Sequence, residues 1–168
     1  MTAIRAYLGI GGNLVPDGYD TLLSAMQAAI HQTNQIAPVI HRSRWYKTAP
    51  VPISDQPDFL NAVLAVETML SASELLSQLH CIEAGFGRVR SVRNAARVLD
   101  IDILFYGDQI INSESLQIPI LACTHVPLFC ALYVKLPLIL SIRFSAQPAP
   151  DFTTPFYKPL KGDRPVCL

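Results

Sequence analysis

The order in which hydrophobic periods change along residues 3–106 leaves this chain few folds to choose from. Residues 3–10 read as a strand, and Gly11-Gly12-Asn13 is expected to stop it in a turn. Asp17 to Thr33 has helical spacing, with Leu22, Leu23, Met26, Ala29 and Ile30 on one face. Ile36 to Tyr46, with β-branched and aromatic residues, predicts a second strand, and the three prolines between Ala49 and Pro57 predict a loop. Phe59 to Thr68 predicts a third strand. Ser71 and Glu74 form a capping box, and Leu75, Leu76, Leu79 and Ile82 follow at helical spacing in a helix that ends near Gly85 and Gly87. Val98 to Tyr106 predicts a fourth strand, closed by Gly107-Asp108, with Ile101, Ile103 and Phe105 facing the core. The order β-α-β-β-α-β is the split βαβ pattern of an α+β, ferredoxin-like sandwich. Two helices should cover one face of an antiparallel four-stranded sheet.

Composition narrows the function classes. The chain has 168 residues, 51% hydrophobic and 15% charged. Ordinary domains carry roughly a quarter charged residues, so this chain can bury a real core. Thirteen basic residues balance thirteen acidic ones, which leaves no net field for nucleic acid. Cys81, Cys123, Cys130 and Cys167 have no C-x-x-C spacing and suggest neither zinc nor a disulfide framework. The start, Met1 to Ala6, is broken by Arg5 and does not read as a signal peptide, so a cytoplasmic location is expected. Residues 120–168 differ from the rest: they hold 5 basic and 2 acidic residues, 7 of the 13 prolines and 3 of the 4 cysteines. In the window 120–142 the only formal charge is Lys135, but His125, Pro127 and Pro137 also interrupt it, so no membrane span is expected. The chain is therefore divided into a core, 1–119, and an atypical tail, 120–168.

The chemistry gathers before and within the fourth strand. Asp100 and Asp102 are two apart on a strand and so share a face, roughly 7 Å apart at their Cα atoms. Such a pair repels unless a cation or several arginines neutralise it. The spacing fits a Mg²⁺ site completed by phosphate oxygens, and it also fits a solvated strand face. Arg88, Arg90, Arg93 and Arg97 precede the pair with no acidic residue between them. Arginine forks grip phosphate, although such a loop can also simply be solubilising. Together with D-x-D they match the electrostatic demand of phosphoryl transfer. Glu83 and His80, on the last turns of the preceding helix, are placed to face the same site, though a lone His there also reads as structural. Phe59 and Asn61 share a strand face and suit a flat heteroaromatic ring, by stacking and paired hydrogen bonds. A core Phe with an Asn capping the loop is the plainer reading. Gly11-Gly12-Asn13 is not a phosphate loop, since no Gly-Lys-Ser/Thr follows.

In series, these motifs resemble the 6-hydroxymethyl-7,8-dihydropterin pyrophosphokinase family of folate biosynthesis. The matching segments are Tyr7 to Leu14, Ser43 to Pro50, Asp55 to Asn61, Glu67-Thr68, Ile82-Glu83, Gly87 to Arg90, Arg97 to Leu104 and Leu116 to Pro119. The resemblance implies transfer of pyrophosphate from ATP to the pterin hydroxymethyl group. It implies that Asp100 and Asp102 hold two Mg²⁺ ions, and that Arg88 and Arg97 act with them as catalytic residues on the phosphates. Thr48, Pro50, Phe59 and Asn61 would hold the pterin. His80, Glu83, Arg90, Arg93 and Ile103 would serve the nucleotide. The implied partners are ATP and the pterin, and a monomer is expected. Pro52 stands where a glycine is common, and Ser91 to Ala96 is short and lacks tryptophan; both departures touch loops. The competing class is a ferredoxin-like nucleotide- or RNA-binding module without catalysis. Neutral charge and the lack of exposed aromatic pairs on a central strand oppose RNA.

The family continues past Ile-Pro with His-Pro-Arg-(Met/Leu)-His-x-Arg-x-Phe-Val-Leu-x-Pro-Leu, and this chain does not. A shifted reading takes the last base of each preceding codon and the first two of the next. Ile120 then permits His, Leu121 Pro, Ala122 Arg, Cys123 Met or Leu, and Thr124 His. Val126 permits Arg, Leu128 Phe, Phe129 Val, Cys130 Leu, Leu132 Pro and Tyr133 Leu. The expectation is a frame slip at Pro119 and a tail that impairs turnover, because out-of-frame sequence has no binary pattern.

Overall fold

The computed structural model describes residues 2–50, 54–88, 96–113, 116–118 and the backbone of 158–159. Arg90, Arg93, Pro52, most of the arginine-rich loop and nearly all of the tail lie outside the described residues. The elements run β1 (Ile4–Gly12), α1 (Leu22–Ile36), β2 (Val39–Arg42), β3 (Tyr46–Thr48), β4 (Phe59–Thr68), α2 (Ala72–Gly85) and β5 (Asp100–Tyr106). Short strands β6 (Ile111–Asn112), β7 (Gln117–Ile118) and β8 (Lys158–Pro159) follow. The fold is α+β, an antiparallel sheet with two helices. The main sheet has the order β5-β1-β4-β3-β8, with β2 also beside β4.

β1 is central because alternate residues must be buried on the helix side. Ala6, Leu8 and Ile10 are fully buried, and so are Leu64, Val66 and Ala62 of β4. Against them lie Ala25, Met26 and Ala29 of α1 and Leu75, Leu79 and Ile82 of α2. Each fully buried Leu or Ile contributes about 1.5–3 kcal/mol relative to exposure.

Several expectations shift. The helix starts at Leu22 and not Asp17, because Gly18 takes a positive φ of 84° in a turn and Thr21 caps the helix. The Thr21 hydroxyl accepts from Ser24 N–H while the Ser24 hydroxyl accepts from Thr21 N–H, a capping box absent from the hydrophobic count. Leu23 is 37% exposed, so the buried face centres on Ala25, Met26, Ala29 and Thr33. Ile36 belongs to the helix, which ends before Pro38. The second strand is two strands. Ser43 interrupts it: its N–H donates to Val63 O (2.8 Å) and its hydroxyl accepts from Val63 N–H (2.9 Å). The chain then turns Trp45 inward, under the Arg42 guanidinium at 5.1 Å. Phe105 does not face the core. A register shift at Tyr7/Leu8 pairs Leu8 with Ile103 but Tyr7 with Phe105, so Phe105 meets the Tyr7 ring edge-on across the other face. Finally, the short strand β8 pairs antiparallel with β3, Tyr46 opposite Pro159 and Lys47 opposite Lys158.

Candidate functional site

The glycines of β1 shape the site. Gly11-Gly12 does not turn; both residues continue the strand, Gly11 opposite Asn61 and Asp100, and Gly12 opposite Leu60. Sequence punctuation reads glycine as a break, but here it answers close approach. A Cβ on Gly11 would collide with Asn61 Oδ1, and one on Gly12 would lie 2.5 Å from Val98 O. Gly9 stands between Val63 and Asp102 in the next row. Side chains directly opposite one another on neighbouring strands share a face. Asp100 and Asn61 therefore flank Gly11 on one face, two strand spacings apart, or roughly 10 Å. Asp102 flanks Gly9 on that same face. The result is a trough floored by glycine, with carboxylates on one side and an amide on the other.

On the carboxylate side, Arg88 pairs with Glu83 and reaches Asp100 Oδ1 at 2.5 Å, and Arg97 pairs with Asp100 Oδ2. Glu83 is 2% exposed and also accepts from Ile101 N–H at 2.7 Å. It therefore fastens the end of α2 to β5 and orients Arg88 toward Asp100. Asp102 lies on the open face, and among the described residues no arginine forms an ion pair with it. Crowding by protein, then the neighbouring carboxylates Asp100 and Glu83, push its carboxyl up to about 7, while Arg88 and Arg97 pull the other way. Two hard carboxylates on one strand face, Asp100 held by arginines and Asp102 open, fit a divalent cation that takes its remaining ligands from phosphate. Among the described residues, no group of three or more His, Cys, Asp or Glu with metal spacing occurs.

On the amide side, Asn61 is 5% exposed and its Nδ2 donates to Thr48 Oγ1 at 2.9 Å. Thr48 pairs with Phe59, which is half-buried, and Pro50 is buried. The structure thus brings together Arg88, Arg97, Asp100, Asp102 and Glu83 on one side, and Thr48, Phe59 and Asn61 on the other. Ile103 is 1% exposed in the core with Ile101, so its side chain faces away from the trough. His80 is half-buried on α2.

Asn13 is the residue that sequence reasoning passed over. It is 4% exposed and sits at the end of β1. Its signal was a polar residue directly after two glycines, which reads equally well as a turn.

Among the described residues, no helix is long and apolar enough to cross a membrane; the window 120–142 lies outside them. The sequence model of the 7,8-dihydro-6-hydroxymethylpterin-pyrophosphokinase (HPPK) family matches residues 7–139, which runs past Pro119. A 2-amino-4-hydroxy-6-hydroxymethyldihydropteridine pyrophosphokinase of Haemophilus influenzae is 42% identical over 118 residues, 69% of this chain and 71% of that protein. One of the same name from Synechocystis is 34% identical over 152 residues, 89% of this chain and 69% of that protein. A mitochondrial folate synthesis bifunctional protein of Arabidopsis thaliana is 49% identical over 81 residues, 48% of this chain but only 15% of that longer one.

Proposed function

Because this chain belongs to the 7,8-dihydro-6-hydroxymethylpterin-pyrophosphokinase family, we propose that it transfers pyrophosphate from ATP to 6-hydroxymethyl-7,8-dihydropterin in folate biosynthesis. The observation that carries the reading is the glycine trough with Asp100, Asp102, Arg88 and Arg97 on one side and Asn61 on the other. In this transfer the pterin hydroxymethyl oxygen bonds to the β-phosphorus of ATP, the α–β bridge breaks, and AMP leaves with the bridging oxygen. Charge spreads over phosphate oxygens as this happens, so arginines already aimed at the site lower the barrier without reorganising. Asp100 and Asp102 would hold two Mg²⁺ ions, which supply neutralising charge to the triphosphate. Asn61 and Thr48 would read the pterin edge, and Phe59 and Pro50 would support its ring. Glu83, His80, Arg90 and Arg93, with the main chain of Ile103, would serve the nucleotide. The enzyme acts as a cytoplasmic monomer.

The tail from 120 onward is read as out of frame relative to the family. This rests on the ordered recovery of the family motif from shifted codons beginning at Ile120. A gene whose shifted frame lacks those codons refutes the slip. The function is tested by a coupled AMP-release assay with the pterin, together with calorimetry of Mg-ATP binding. Mg²⁺-dependent binding of ATP and any pterin-dependent AMP release are expected. Binding of neither substrate would overturn the reading.

A further inference from the structure

We infer that Asn13 is a positioning residue that ties the two sides of the trough to each other. This deepens the proposed function and rests on it. Asn13 Oδ1 accepts from the backbone N–H of Arg97 at 2.8 Å, and Asn13 N–H donates to Arg97 O at 2.9 Å. One residue thus holds both backbone polar groups of the arginine that pairs with Asp100. The other end of the same amide, Nδ2, donates to Pro57 O at 3.1 Å and Gln56 Oε1 at 3.3 Å. Those residues lead directly into Phe59 and Asn61. Only a primary amide presents an acceptor and two donors from one planar head. The flipped amide would point donors at Arg97 N–H and an oxygen at two oxygens, so the partners themselves fix its orientation.

The preceding residue leaves little freedom for another arrangement. Gly12 runs so close under Val98 that a Cβ there would sit 2.5 Å from its carbonyl oxygen. The backbone therefore delivers Asn13 into the gap between the Gln56–Pro57 segment and Arg97. A displacement of the pterin-side loop is passed to the Arg97 backbone through one buried, fully bonded head group, and the reverse holds equally. Binding on one side should then favour binding on the other, and Asn13 should carry part of that coupling.

The test uses the full chain, Asn13→Asp and Asn13→Ala. Asn13→Asp keeps the acceptor for Arg97 but sets an oxygen against Pro57 O. Pterin affinity is measured by calorimetry with and without Mg²⁺ and α,β-methylene ATP, and amide exchange is followed by NMR. The nucleotide should tighten pterin binding in the wild type. In both variants that gain should shrink about three- to tenfold, the worth of one hydrogen bond. The Arg97 amide should stay protected in Asn13→Asp and lose protection in Asn13→Ala, with β1–β4 amides unchanged in both. An unchanged gain in both variants overturns the inference. So does a wild type with no gain, or a general loss of β1–β4 protection in both variants, which would make Asn13 merely structural. A wild type that binds neither ligand overturns the proposed function instead.

Discussion

Asp102 shows how a single side chain records what a site is built to hold. Its carboxyl is raised to about 7 from an ordinary 3.8 by crowding and by Asp100 and Glu83. The folded protein therefore prefers it protonated. That preference is fully available below the unfolded value and is lost as pH rises from about 4 through about 7. In metal-free buffer at pH 8, Asp102→Asn should melt at a higher temperature than the wild type, and at pH 4 the two should coincide. Equal midpoints at pH 8 would mean that the charge is already compensated. Turnover should respond in the opposite sense: Asp100→Ala or Asp102→Ala should abolish AMP release with little effect on the far-ultraviolet spectrum. Near-normal rates in both would exclude a metal role. Arg97→Ala should lower kcat more than it weakens ATP binding, because its charge matters most as the phosphates redistribute theirs. An affinity loss with unchanged kcat would make it only a ground-state clamp. Gly11→Ala, whose methyl collides with Asn61 Oδ1, should weaken pterin binding while leaving ATP binding intact; isothermal titration of each ligand separates the two.

At the scale of elements, legibility follows whether the signal is local. β4 was readable from end to end, Phe59–Thr68, because a buried strand bounded by turn residues is dense in β-branched and apolar side chains. The start of α2 was readable because Ser71 and Glu74 satisfy each other's backbone donors within one turn. Ser71→Ala should cost about 1 kcal/mol of unfolding free energy in urea titration; no measurable change would leave the cap without energetic weight. The start of α1 was missed because its cap partner is Ser24, a residue type that the Glu/Gln capping pattern does not seek. The Asp100–Asp102 pair was legible from period two alone. The Gly11-Gly12 strand, the Ser43 interruption and the Phe105 reversal were not. Each depends on neighbours distant along the chain: Asn61 and Val98, Val63, and the Tyr7/Leu8 register shift respectively. No window along the chain contains those neighbours. Asn13 belongs with them, since its partners are 43 and more positions away.

For the molecule as a whole, the proposed frame slip predicts that the tail limits how well the site works. The trough side chains described here all come from residues before Pro119. If the frame slips at Pro119 as proposed, the tail would lack the stacking aromatic and the His that the resemblance implies beyond that point. One lost stacking face is worth roughly 0.5–1.5 kcal/mol beyond area burial, and an uncovered site admits water. The chain as written should bind Mg-ATP yet release AMP slowly, and restoring the shifted frame after Pro119 should raise the rate by orders of magnitude in the same assay. Full activity without restoration would show that the tail supplies substitutes. The place of β1 between β4 and β5 carries a further consequence, for the chain as it is being made. Its partners begin at Phe59 and at Asp100, so β1 leaves the ribosome before either flank and waits for both. At about 5–20 residues per second, that leaves an apolar ribbon unpaired for several seconds, long enough for holdase chaperones to engage it. Nascent chains stalled before Asp100 should therefore be far more protease-sensitive and chaperone-bound than chains stalled well after Tyr106.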